Sequence, residues 1–282
     1  MNIEHIAVVG AGTMGSGIAQ AAATSGFTVT LIDVVPEQLD AAMADMRKSA
    51  EKLHAKGRLT DAQLAGVDRV APAGGLAAAS QAHFVIEAAT ENPTLKEKIF
   101  RELDELAAPE VILASNTSSI PLTGIAAVTD RPDRVVGMHF FNPVSLMPLV
   151  EVIRGLATSD ETTATVVELT KRMGKTPVEA NDSPGFISNR ILCPMLNEAV
   201  FALMEGVGTP EAIDQVMKLG MNHPMGPLEL TDLIGLDVVL GVMEVLQREL
   251  GDDKYRPCPL LRKMVAAGYL GRKSGRGFYE YA

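Results

Sequence analysis

The sequence predicts an α/β domain built on a mainly parallel sheet, followed by a smaller all-α domain. Three features carry that prediction. Short apolar runs alternate with amphipathic stretches over roughly the first half of the chain. A glycine-rich turn follows the first apolar run directly. From Pro184 onward no convincing strand occurs before a short candidate at 277–281. Runs that are apolar without alternation suit strands buried on both faces, and a βαβα rhythm calls for crossover helices covering them.

Taken in order, residues 6–9 form the first buried-strand pattern, 17–23 a helical segment, and 29–32 a second strand. Pro36 opens a long helix reaching about Lys56, with Leu39, Ala42, Met43, Met46 and Leu53 on one side. Further strands are expected at 84–86, 111–114 and 135–138, with a helix at 94–106. Strands at 149–153 and 176–180 flank a helix at 161–173. The remaining windows, 184–205, 210–219, 228–250 and 257–267, read as helices, with Pro184 in the first turn of the first. The turn chemistry of Asn181-Asp182-Ser183-Pro184-Gly185 sets the expected boundary, giving domains of 1–183 and 184–282.

Composition excludes several classes. At 47% hydrophobic and 21% charged, the chain can bury a substantial core. A formal charge of −10 opposes general nucleic-acid binding, and 4% aromatic content leaves few stacking platforms. Any anionic ligand must therefore be held by a local site. Cys193 and Cys258 lie in apolar or Pro-flanked settings and read as inert buried thiols. No apolar run reaches the ~18 residues of a membrane span. Glu4 and His5 ahead of the first strand do not suit a signal peptide, so a cytoplasmic protein with no membrane partner is expected.

Gly10, Gly12 and Gly15 complete a G-x-G-x-x-G turn between a strand and a helix. Gly10 permits the tight turn, Gly12 a close pyrophosphate approach, and Gly15 close packing of helix on strand. Thr13 and Met14 open that helix, whose N-terminal amides and dipole favour phosphate without any Lys or Arg. Asp33 ends the second strand and can accept from ribose hydroxyls while repelling a 2′-phosphate. Val34 and Val35 supply no Arg for such a phosphate, so NAD is preferred over NADP in a Rossmann-type domain.

His139 lies at the end of an expected strand, and Glu151 interrupts the apolar run Leu149-Val150-Glu151-Val152. If the two strands pair antiparallel about a turn centred near Ser145, the two side chains fall opposite each other. A carboxylate there fixes the imidazole tautomer and makes the other ring nitrogen a competent base; the alternative is a structural polar pair. Ser115-Asn116-Thr117-Ser118-Ser119 follows the strand at 111–114, where open parallel sheets gather ligands. These residues suit substrate contacts or helix capping equally well. Asn189 opens the second domain's first helix and suits a cleft or a plain polar face. Ser49, Lys52 and Lys56 are spaced along one helical face in a stretch with five basic residues and one Glu, which reads as a local positive patch or a solvated face.

Together these segments resemble the L-3-hydroxyacyl-CoA dehydrogenase family, most closely its short bacterial 3-hydroxybutyryl-CoA members. The resemblance runs through Gly-Ala-Gly-Thr-Met-Gly (10–15), Glu-Ala-Ala-Thr-Glu-Asn (87–92), Ser-Asn-Thr-Ser-Ser (115–119) and His-Phe-Phe-Asn-Pro (139–143). It continues through Ser-Pro-Gly-Phe (183–186), His-Pro-Met-Gly-Pro (223–227) and Gly-Arg-Lys-Ser-Gly-Arg-Gly-Phe-Tyr (271–279). It implies a general base at His139, a carboxylate partner at Glu151, and substrate contacts from Ser118 and Asn189. It further implies nicotinamide-end contacts from Glu91 and Lys96, with Asn116 also on the cofactor side, and a site-shaping role for Asn142. CoA phosphates are implied at Ser49, Lys52 and Lys56, and a homodimer through the C-terminal domain. One departure is Ser145 after Val144, where the family commonly has Val-Pro. A dehydrogenase of a non-CoA 3-hydroxy acid, such as a sugar acid or carnitine, is the competing enzyme reading, against which the basic face argues. A non-catalytic nucleotide-binding protein is the third reading, opposed by the Ser118, His139, Glu151 and Asn189 set.

Overall fold

The computed structural model describes residues 2–281. Two compact units emerge, Met1–Asp182 and Ser183–Ala282, and each is taken by itself.

The first unit carries one eight-stranded sheet. In chain order its elements are β1 (His5–Val9), α1 (Thr13–Thr24), β2 (Thr28–Ile32), α2 (Pro36–Ala55), α3 (Asp61–Val67), β3 (Ala71–Ala73) and β4 (Phe84–Glu87). These are followed by α4 (Pro93–Leu106), β5 (Ile112–Ser115), α5 (Leu122–Ala126), β6 (Val135–Phe140), β7 (Leu149–Arg154), α6 (Asp160–Arg172) and β8 (Thr176–Asn181). The strand order is β3-β2-β1-β4-β5-β6-β7-β8. All neighbours are parallel except β6 and β7. The central strands β4, β5 and β6 are buried at every residue, which explains their unbroken apolar runs. Both edge strands contain a proline, Pro72 in β3 and Pro177 in β8, where a missing N–H interrupts no ladder on the outer side.

Sequence order reverses on either side of β1, so the carboxyl ends of β1 and β4 flank a topological switch point, the usual place for a ligand in such a sheet. β3, α3 and the short α5 are elements that the sequence pattern does not mark. β3 has three residues, two of them exposed, and carries no hydrophobic pattern.

The second unit is helical: α7 (Ser188–Met204), α8 (Pro210–Gly220), α9 (Pro227–Ile234), α10 (Leu236–Leu250) and α11 (Pro259–Ala266). Three expectations are corrected here. Pro184 does not start α7, because Gly185 (φ +76°) and Phe186 (φ +49°) adopt left-handed backbone and delay the helix to Ser188. The window 228–250 is two helices, broken at Gly235 with φ +107°. Its apolar pattern conceals the break, since Leu228 of α9 and Leu236, Val239 and Leu246 of α10 are buried in one core. The candidate strand at 277–281 forms only isolated bridges. The buried Asp232 carboxylate takes the Phe278 and Tyr279 N–H groups instead (2.9 and 3.0 Å), and the Tyr281 hydroxyl donates to it at 2.9 Å. A Cβ on Gly277 would collide with that carboxylate, so the glycine is fixed by packing.

No helix among the described residues is long and apolar enough to cross a membrane. Both cysteines are free and buried. Burial pushes the Cys193 thiol up to about 12.

Candidate active site

The three glycines of the turn differ in what requires them. Gly10 has φ +101°, and an added Cβ would lie 2.7 Å from the Ala88 carbonyl oxygen. A Cβ on Gly15 would collide with the Gly10 carbonyl. Gly12 has φ −71° and ψ −174°, open to any residue, and an added Cβ would meet no atom within 4 Å. Neither backbone nor internal packing explains Gly12, which faces open space at the mouth of α1. That space fits a dinucleotide pyrophosphate held by the first amides of the helix. A pocket of about 600 Å³ lies there, with Gly12, Thr13, Met14, Asp33 and Ala89 in its lining.

Asp33 braces the turn from β2. Its carboxylate accepts from Ala11 N–H at 2.7 Å and Val35 N–H at 3.0 Å. A carboxylate has about four acceptor sites, so capacity remains for ribose hydroxyls. The neighbouring Val34 and Val35 are exposed, and the segment brings no cation to Asp33.

At the tips of β4 and β5 a chain of ionisable groups is assembled. Glu87, the last residue of β4, is fully buried. Its Oε1 accepts from Lys96 Nζ and from Ala89 N–H, both at 2.6 Å, and its Oε2 accepts from Ser115 Oγ at 2.6 Å. Lys96, on α4 and 1% exposed, lies farther from Glu91, at 3.6 Å. Glu91 gathers the loop after β5 instead. Its Oε1 accepts from Thr117 Oγ1 (2.7 Å), Ser118 N–H (2.9 Å), Ser119 N–H (3.0 Å) and Ser119 Oγ (3.0 Å). Burial pushes the Glu91 carboxyl up, but the Lys96 charge and these hydrogen bonds prevail and hold it below the usual glutamate range. Glu91 and Lys96, both expected at the nicotinamide end, lie 3.6 Å apart, and the closer partner of Lys96 is Glu87, to which the sequence alone assigns no role. A carboxylate ending an otherwise apolar β4, with a lysine on the following helix, was the signal available.

The β6–β7 hairpin sets His139 opposite Glu151 in register. His139 Nδ1 and Glu151 Oε2 are 2.8 Å apart, at 8% and 2% exposure. The Phe141 ring lies 4.7 Å from the imidazole, tilted by 49°. Asn116 ties this hairpin to β5, its Oδ1 accepting from Phe140 N–H at 2.8 Å. The connecting turn holds exposed Asn142, a cis bond to Pro143, and buried Val144, whose side chain meets α1 at Gly17. The Lys175 ammonium donates to the Val144 carbonyl and, at 2.8 Å, to that of Met147, and burial lowers its pKa. Ser145 sits within that braced turn.

The basic stretch is less positive than its composition suggests. Arg47 is engaged by Glu51 (3.1 Å) and Asp68 (3.0 Å). Ser49 is half-buried and Lys52 exposed on α2, whereas Lys56 is the residue after its last turn, capping the helix rather than continuing its face. Asn189 lies in the first turn of α7 in the second unit, where its Oδ1 is 3.9 Å from Cys193 Sγ.

Comparison with known proteins agrees along the whole chain. Residues 5–183 match the family model for the NAD binding domain of 3-hydroxyacyl-CoA dehydrogenase, and residues 185–281 match that for its C-terminal domain. The chain is 58% identical over 282 residues to a probable 3-hydroxybutyryl-CoA dehydrogenase of Bacillus subtilis, covering 100% of this chain and 98% of that protein. It is 51% identical over 280 residues to a 3-hydroxybutyryl-CoA dehydrogenase of Bradyrhizobium diazoefficiens, covering 99% and 96%. Among solved structures, the crystal structure of (S)-3-hydroxybutyryl-CoA dehydrogenase from Ralstonia eutropha superposes with a TM-score of 0.96 at 53% identity, with full coverage of both chains. The chain belongs to the 3-hydroxyacyl-CoA dehydrogenase family, and its first domain is the family's NAD-binding domain.

Proposed function

We propose that this chain catalyses the NAD-dependent interconversion of a short (S)-3-hydroxyacyl-CoA, 3-hydroxybutyryl-CoA first among them, with the corresponding 3-ketoacyl-CoA. The observation that carries the reading is the buried His139–Glu151 pair, in the same unit as a glycine turn whose open position suits a pyrophosphate. NAD supplies a hydride acceptor in oxidation and, reduced, a hydride donor in the reverse direction.

With Nδ1 turned to Glu151, the imidazole exchanges protons through Nε2. In oxidation Nε2 takes the 3-hydroxyl proton as C3 loses its hydride; in reduction it returns that proton to the forming alkoxide. Glu151 stabilises the imidazolium between the two events. Ser118, held by Glu91, supports the substrate oxygen beside the base, and the family motif extends that role to Asn189. Glu91, Lys96 and Asn116 serve the nicotinamide end, Asp33 the ribose, and Thr13 and Met14 the pyrophosphate. Asn142 shapes the site beside His139. Ser49, Lys52 and Lys56 are assigned to CoA phosphates, an assignment the exposed lysines support and the capping position of Lys56 weakens. The cofactor ratio sets the direction. Exposed Val207, Val216 and Leu219 on the second unit support a homodimer through it.

The test is direct. Acetoacetyl-CoA mixed with NADH and protein is expected to lose NADH absorbance, whereas acetoacetate lacking CoA is not. Equal rates with both would transfer the function to a non-CoA 3-hydroxy acid.

A further inference from the structure

Glu87 is more than a buried anchor. It takes the Lys96 ammonium at 2.6 Å, leaving Glu91 a full ångström farther from that cation. The hydrogen bonds to the Glu91 carboxylate come from neutral hydroxyls and amides of Thr117, Ser118 and Ser119. Neutral donors stabilise a carboxylate without cancelling its charge, whereas a close ammonium would cancel it. The three groups sum to one negative charge beyond the carboxyl ends of β4 and β5. Strand order reverses between β1 and β4, so the two halves of a dinucleotide divide there. With the glycine turn and Asp33 on the β1–β2 side, the β4–β5 side receives the redox-active half.

A nicotinamide ring carries a positive charge when oxidised and none when reduced. A fixed negative charge beside it therefore favours the oxidised form. We propose that Glu87 is a positioning residue that draws Lys96 away from Glu91, and that the resulting unit of negative charge holds NAD⁺ in preference to NADH. This proposal rests on the dehydrogenase reading above.

The experiment measures the Kd of NAD⁺ and of NADH by calorimetry on the full chain, without substrate. Glu87→Gln brings the trio to zero net charge and is expected to shift the ratio of the two constants roughly tenfold or more toward NADH, a lower bound for one unit charge acting over several ångströms at an effective dielectric of about 20. The double variant Glu87→Gln/Lys96→Met restores a charge of −1 and is expected to return the ratio to that of the wild type. A purely structural pair would weaken both nucleotides alike and leave the ratio unmoved. Removing one member of a buried ion pair is strongly destabilising, so Glu91→Gln, at a side chain 38% exposed, serves as the second route to zero charge. It is expected to shift the ratio in the same direction, while Ser115→Ala, which alters no charge, leaves it in place. An unmoved ratio in folded Glu87→Gln or in Glu91→Gln overturns the proposal. Wild-type protein that binds neither nucleotide would instead overturn the dehydrogenase reading.

Discussion

The two halves of the first unit's sheet prepare for ligands in opposite ways. On the β1–β2 side the candidate pyrophosphate site is made of backbone, with helix amides, three glycines and one carboxylate bracing the turn. From β4 to β7 the site is made of partnered ionisable side chains: buried Glu87 with Lys96, more exposed Glu91 with its loop, and buried His139 with Glu151. A protein of charge −10 thus needs no cation at the turn, because dipoles serve a permanent anion adequately. Where charge is created and destroyed during a reaction, preorganised side chains are required. The permanent charge of the pyrophosphate is assigned to one half of the sheet, and the groups beside the reacting centre to the other.

The sharpest way to break that division is at the hairpin. His139→Ala is expected to lower kcat about a thousandfold, the range of a general acid/base, with NADH affinity changed less than threefold. Parallel loss of turnover and NADH binding would make the imidazole a structural group. On the other half the glycines should separate from one another. Gly15→Ala is expected to cost about 3 kcal/mol of stability through its collision with the Gly10 carbonyl. Gly12→Ala should cost under ~1 kcal/mol yet weaken NADH binding about tenfold. Chemical denaturation beside NADH titration checks both, and equal stability losses would remove the distinction between packing and ligand glycines. The smallest effect concerns pH. A carboxylate whose pKa is lowered by folding adds stability above its unfolded value and loses it as pH falls through the folded one. Glu91, lowered from 4.5, should therefore contribute to acid unfolding below about pH 4.5. Glu91→Gln should have a slightly flatter acid limb, the effect being limited by its 38% exposure.

The sheet was legible because its buried strands leave continuous apolar runs, and the hairpin because Glu151 in such a run demands a partner. His139 was found by counting residues across the turn at Ser145, and the register agrees. What stayed hidden lacked a periodic signal. The break at Gly235 sits between two helices sharing one core, so hydrophobicity does not change across it. The last residues have the composition of a strand, but their N–H groups are taken by Asp232, a contact over more than 45 positions that no local pattern encodes. Glu87 opens the Glu-Ala-Ala-Thr-Glu-Asn segment (87–92) with no local signal of its own, since a lone acid at a strand end resembles a turn residue until Lys96 and Ser115 close on it. Lys56 was assigned to a helical face that ends one residue earlier.

The thiols bear on how such a chain can coexist with thioesters. Acyl-CoA is an acylating agent, and a thiolate is the nucleophile to which its acyl group passes most readily. Cys193 is buried and its thiol stays protonated throughout the physiological range, and Cys258 has no exposed surface. The folded second unit therefore offers a thioester no thiolate to acylate. For the same reason, alkylating reagents reach these sulfurs only when the helices open, so the rate of labelling serves as a clock for unfolding of that unit.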